Sequence, residues 1–313
     1  MAEVLRPMST GELMDRTFTL YRRNFKLFVG IATLGPAANL VFQLLLVSSI
    51  GLPAAASPQA GALAMASFGF GMAAGVVIML AGIAIANAAT VRAVAAVHLG
   101  RPITIGEAYK SLKGKIWRIL GLFALVILLV SIGTMVIILV ASILGSLAVI
   151  GGSQAGRAGT VVGVLVAIAA AVIGAMLAIT IYVRYALAIP ACVVEDLGVI
   201  ASMKRSAVLS KGSRSRILAV YAVFFVLALV VGLALGGLIG LVAMVIPSVM
   251  AQLILKSLAG FVAGSLTGPL ATIGIALVYY DERVRKEAFD LQWMMASLGA
   301  LPPVPPVPAA VQP

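Results

Sequence analysis

The stretch "STGELMDRTFTLYRRNFKLF", residues 9–28, begins as a charged helix and turns apolar halfway along. Ser9 and Glu12 fit the S/T-x-x-E capping box, in which hydroxyl and carboxylate satisfy orphan amides reciprocally, so the spacing predicts a helix starting here. Leu13, Met14, Thr17, Phe18, Tyr21 and Phe25 recur at helical spacing as one stripe. Glu12, Asp15, Arg16, Thr19, Arg22, Arg23 and Lys26 face away from it. A helix of this kind is expected to lie in a headgroup layer before the chain turns into the membrane. A cousin, "TIGEAYKSLKGKIWRIL" at residues 104–120, repeats the box as Thr104 and Glu107. A looser one, "AVLSKGSRSRIL" at 207–218, repeats its Ser, Lys-Gly and Arg-Ile-Leu in order.

Each of the three stretches leads into a long apolar run. The 313 residues are 62% hydrophobic and 10% charged, with a mean hydropathy of +1.17, far above the roughly 45–50% apolar content of soluble domains. Six runs are long enough to cross a hydrocarbon core of about 30 Å: 25–50, 64–97, 116–150, 161–189, 217–246 and 253–280. The second and third exceed the roughly 20 residues a crossing needs, so they should tilt or project as continuous helices. No short basic leader precedes the first run, which is expected to stay in the mature protein as a signal-anchor.

Charge orients the spans. The turn after the first span has no Lys or Arg, the turn after the third has only Arg157, and the turn after the fifth only Lys256. The other side holds twenty of the 22 basic residues and all ten acids, which places both termini and the two longer loops in the cytoplasm. Topology and anionic inner-leaflet lipid account for the net charge of +12, so nucleic acid is not an expected partner. The fold class is therefore an all-α integral membrane protein with six transmembrane helices. They form three tandem units, about 9–98, 104–190 and 199–290, each an amphipathic cytoplasmic helix followed by a helical hairpin. The even spans also close alike, on "ATVRAV", "IYVRYA" and "ALVYYD". Residues 1–300 make one polytopic domain; the Pro-rich tail 301–313 should be extended or disordered.

Helices associate in lipid by close approach at small residues and by a few hydrogen bonds. The rows Gly71-Gly75, Gly232-Gly236-Gly240 and Gly260-Gly264-Gly268 nominate the second, fifth and sixth spans for tight contacts, within the chain or with a second copy of it. Pro36 and Pro269 break backbone ladders in the first and sixth spans. No acid or base falls mid-span, which argues against an ion-driven pump. The polar exceptions Asn39, Gln43, Asn87 and Arg184 fit interhelical hydrogen bonds or a polar cleft. Asp281, Glu282, Arg283, Arg285, Lys286, Glu287 and Asp290 form a charged cytoplasmic helix, with acid-before-base pairs Asp281–Arg285 and Glu282–Lys286. Ordinary helix electrostatics accounts for these charges; docking on the basic entry helices is the sharper alternative. One cysteine, Cys192, forbids an internal disulfide; one histidine, His98, excludes paired-histidine zinc sites and removes the base of a Ser or Cys nucleophile elsewhere. No catalytic residue, metal ligand or cofactor is nominated.

"RPMSTGELMDRTFTLYRRNFKLF" at 6–28 together with "YYDERVRKEAFDL" at 279–291 resembles the bacterial and archaeal family called the glycerophosphoryl diester phosphodiesterase membrane domain. Members are similar in opening on an R-P-M-S-x-G-E-L-x-D-R helix and ending on Y-Y-D-x-R-x-R-K-E, with about six spans between. The resemblance implies a bacterial or archaeal cytoplasmic membrane. The catalytic domain fused to some members needs a His-Arg-Gly opening and a second histidine, whereas here His98 precedes Leu99 and Gly100. The likeness therefore implies a free-standing membrane domain without the enzyme. The expected function is a non-enzymatic scaffold or accessory protein. Arg22, Arg23, Lys26, Lys113, Lys115, Arg118, Arg214 and Arg216 would hold anionic phospholipid, or a membrane or cytoplasmic partner protein. The alternative is a lipid or small-molecule translocator using Asn39, Gln43, Asn87 and Arg184.

Overall fold

A computed structural model describes residues 7–50, 58–154, 157–289 and 295. The tail 301–313, most of the turn after the first span and Asp290 lie outside the described residues. Eleven helices are described: α1 (Thr10–Arg23), α2 (Phe25–Ala32), α3 (Leu34–Ile50), α4 (Pro58–His98), α5 (Ile105–Lys110), α6 (Ile116–Gln154), α7 (Arg157–Tyr185), α8 (Ala188–Val194), α9 (Val199–Leu209), α10 (Arg214–Ala243) and α11 (Val249–Glu287). No strand occurs among the described residues. Six stretches are long and apolar enough to cross a membrane: Phe25–Val47, Phe68–His98, Ile116–Ile143, Val161–Val194, Arg214–Ala243 and Val249–Glu287. They pack as hairpins α3/α4, α6/α7 and α10/α11, with α11 also touching α1, α2, α3, α4, α8 and α9.

Both capping boxes close. Ser9 Oγ accepts the Glu12 amide at 3.2 Å while Glu12 Oε2 accepts the Ser9 amide at 2.7 Å; the Thr104 and Glu107 pair measures 3.3 and 2.8 Å. The third short helix, α9, starts on Gly198 without a side-chain cap. After α5 and α9 the chain turns through Gly114 (φ +85°) and Gly212 (φ +86°), left-handed backbone that glycine adopts without a Cβ clash. α1 turns instead at Asn24, with φ −121°.

The core sits at one end of the bundle. The short helices α1, α2, α5, α8 and α9 gather there with the charged ends of α4, α6, α10 and α11, burying Leu13, Phe28, Leu112, Leu187, Ile217 and Tyr279 among others. The inward face of α1 is Leu13, Thr17 and Leu20, so the stripe expected from the sequence is rotated. Phe18 and Phe25 are exposed, and Leu20 replaces them because the helix rests on α11, α2 and α10 rather than on a flat surface. Away from this cap little is buried: none of the most apolar stretch of α6 is buried within the chain.

Two spans depart from their expected course. The first breaks at Thr33 between α2 and α3, three residues before Pro36, which cannot donate back to the preceding turn. The fourth ends at Tyr185 and resumes as α8, whose third residue is Pro190, tolerated in a first helical turn. The second and third spans run unbroken, as expected, and Pro269 stays inside α11. The glycine rows perform differently from expectation. A Cβ at Gly75 would stand 2.5 Å from Phe42, and one at Gly264 3.1 Å from Pro36, but Gly232, Gly236 and Gly240 meet nothing within 4 Å. α10 packs on α11 through Val220 and Phe224 against Gly274 instead, which turns its glycine row away.

Candidate functional site

The densest chemistry lies where α11 leaves the bundle. Asp281 and Glu282 have side chains at most 1% exposed, a placement that carboxylates tolerate only with charged partners and hydrogen bonds. Asp281 pairs with Arg216 and, at 2.7 Å, with Arg285 one turn on; it also accepts the Met8 amide at 2.6 Å. The Met8 carbonyl in turn accepts from Arg216 and Arg285, both at 2.6 Å. Lys286 reaches Glu282 at 3.0 Å and the Leu209 and Lys211 carbonyls. A second cluster ties α9 in: Arg205 meets Glu195 at 2.9 Å and Glu287 at 2.5 Å, Tyr279 donates to Glu195, and Arg283 lies over Phe289. Burial pulls the Arg205 pKa down, but Glu287 and Glu195 outweigh it and hold the guanidinium above its ordinary value. The expected pairs Asp281–Arg285 and Glu282–Lys286 both form.

Glu195, Asp281 and Glu282 are thus turned inward, whereas Glu12, Asp15, Glu107 and Asp196 stay at the surface with the remaining cations. Arg22, Arg23, Lys26, Lys113 and Arg214 are exposed and have no acidic partner among the described residues. Three of the eight nominated cations stand otherwise. Arg216 pairs with Asp281 and has 13% of its side chain exposed, so it is turned into the cap. Lys115 and Arg118 share Asp196 at 3.0 and 2.8 Å. The Lys115 hydrogen bond first, then the two positive charges, hold the exposed Asp196 carboxyl below the usual carboxylate range.

The nominated polar residues are only partly brought together. Asn39 and Asn87 line one cleft of about 400 Å³ between α3, α4 and α11, where Thr272 donates to Asn87 Oδ1 at 2.9 Å. Gln43 lies outside it, accepting from Ser257 at 3.0 Å, and Arg184 stands on α7 near Tyr185. Two tyrosines of the short helices fasten backbone beside the prolines: Tyr109 donates to the Ile31 carbonyl at 2.5 Å and Tyr21 to the Leu266 carbonyl at 2.7 Å. Among the described residues no three of His, Cys, Asp and Glu gather as a metal site would require.

No protein-family model, no curated protein and no solved structure matches the chain. Sequence reasoning missed Glu195, Arg205, Met8, Tyr21 and Tyr109 as structural partners. Glu195 carried one signal, an acid pair Glu195-Asp196 directly behind an apolar run, but the partners on α9 and α11 come from tertiary packing alone.

Proposed function

We propose that the chain is a multi-pass membrane protein whose charged end faces the cytoplasm and presents a cationic layer to anionic phospholipid. One observation carries this: the buried acids are consumed by ion pairs inside the cap, while Arg22, Arg23, Lys26, Lys113 and Arg214 are left exposed. Cations near an anionic leaflet contribute about 1 kcal/mol each. The three tandem units belong to the same proposal, supported by the two closed capping boxes and the matched left-handed glycines ahead of α6 and α10. The family resemblance is supported by the meeting of its two motifs, since Met8 of the first bonds Asp281 and Arg285 of the second. A bacterial or archaeal inner membrane and a non-enzymatic role rest on the same resemblance.

Translocation is the weaker reading. A conduit needs polar groups along its length, and Gln43 and Arg184 stand apart from Asn39 and Asn87, so the two asparagines form a seat rather than a path. The headgroup proposal is tested by purifying the protein from membranes of mixed anionic and zwitterionic phospholipid and measuring which lipid it retains. Wild type should retain anionic lipid in excess, less so at high salt. Arg22→Glu with Arg23→Glu and Lys26→Glu should abolish the excess, and an unchanged ratio would remove the proposal.

A further inference from the structure

The cleft between α3, α4 and α11 has an unusual wall. Most of it is apolar, including Pro36, Pro269 and the face of α11 bearing Gly260, Gly264 and Gly268, and no charged residue lines it. Two carboxamides do. Asn87 spends its Oδ1 on Thr272 and leaves its amino group over, while Asn39 makes no hydrogen bond among the described residues. Amide donors without partners are costly inside hydrocarbon, so an occupant must supply acceptors. A volume of about 400 Å³ is within the ordinary range of ligand sites, far larger than one water needs.

Depth narrows the occupant. The cap's buried core runs down α4 to Ala84 and α11 to Leu270, so Asn87 and Thr272 stand within about a turn of its floor, and the cleft continues beyond it to Met79 and Gly260. Asn39 is five residues past the start of α3, about 8 Å further in along a helix. The cleft therefore spans the boundary between the charged cap and the hydrocarbon, the level at which a glycerolipid carries its ester carbonyls. Apolar walls suit acyl chains, and the absence of lining charge suits uncharged acceptors. We propose that this cleft seats one diacyl glycerolipid from the leaflet on the charged side, with the Asn39 and Asn87 amino groups donating to its ester carbonyls. The occupant is recognised by its esters, not by headgroup charge, so the site goes beyond the cationic layer and stands without it.

The test uses full-length protein stripped in detergent and offered phosphatidylcholine alone, either ester-linked or ether-linked, with bound lipid counted by native mass spectrometry. Phosphatidylcholine carries no net charge, so loss of anionic enrichment, the failure of the headgroup proposal, leaves this readout unaffected. Wild type should hold one diester lipid on the order of tenfold more tightly than its diether analogue, the worth of two membrane hydrogen bonds. Asn39→Leu with Asn87→Leu should erase that preference. Gly268→Leu provides a variant that need not disturb folding, because Gly268 lines the cleft and nothing lies within 4 Å of its would-be Cβ. It should displace the lipid of either linkage. Equal binding of diester and diether lipid by wild type, or a Gly268→Leu protein that still holds its lipid, would overturn the proposal.

Discussion

The cap and the α6/α7 hairpin are made of the same element, yet they are held by different forces. At the cap, half of the most apolar window of α11 is buried within the chain, and side chains from several helices close around ion pairs that water barely reaches. In the hairpin, Ile138, Val164 and Ile173 are more than half exposed, and contact is confined to a seam where Gly174 meets Ile137 and Gly145 meets Ala167. Lipid supplies no hydrophobic drive between helices, so the hairpin needs only close approach along one line. The cap, lying where water begins, is built like the interior of a soluble domain, and it fixes where the six spans start.

The largest expected effect falls on the cap's ion pair. Asp281→Ala leaves Arg216 without its main buried partner and should lower the unfolding free energy in micelles by about 3–5 kcal/mol. A loss no larger than that of a hairpin surface variant would erase the distinction between the regions. Next comes the seam: a Cβ at Gly174 would stand 1.8 Å from Ile137 Cγ2, and a β-branched side chain in a helix has little freedom to swing aside. Gly174→Ala should therefore cost about 1–3 kcal/mol, read as the shift in a detergent unfolding curve. Ser9→Ala, which opens the first capping box, should cost about 1 kcal/mol by the same measurement.

The acid response of Asp196 is smaller. Its folded pKa is depressed, so its pairing with Lys115 and Arg118 stabilises the protein above the unfolded carboxylate value near 4 and is lost as pH falls through the folded one. Melting temperatures of wild type and Asp196→Asn should converge on acidification, and a gap that widens would reverse the sign. Smallest of all is Ile138→Ala on the lipid face, within about 0.5 kcal/mol.

The spans and helix starts were legible because each depends on residues close in sequence: a run of apolar side chains, or a hydroxyl three residues before a glutamate. The pairs Asp281–Arg285 and Glu282–Lys286 belong to the same local class. Contacts that cross the chain could not be read in this way. The contact of Met8 with Asp281 joins the two ends of the sequence, and Arg205 finds Glu195 and Glu287 only because α8 folds back after Tyr185. The face of α1 illustrates the same limit: spacing gave a stripe, but its rotation toward Leu20 depends on how α1 sits on α11. Asn39 and Asn87 line one cleft while Gln43 and Arg184 stand apart from it, because residue type marks a polar group and only packing decides its company.

The central claim is that the charged cap lies on one side of the membrane and the hairpin tips on the other. It is tested most directly with single cysteines in a Cys192→Ser background and a membrane-impermeant thiol reagent. Lys113→Cys and Arg214→Cys should label only from the cytoplasmic side, and Val245→Cys, at the exposed turn between α10 and α11, only from the opposite side. Labelling of Lys113→Cys and Val245→Cys from the same side would contradict the account.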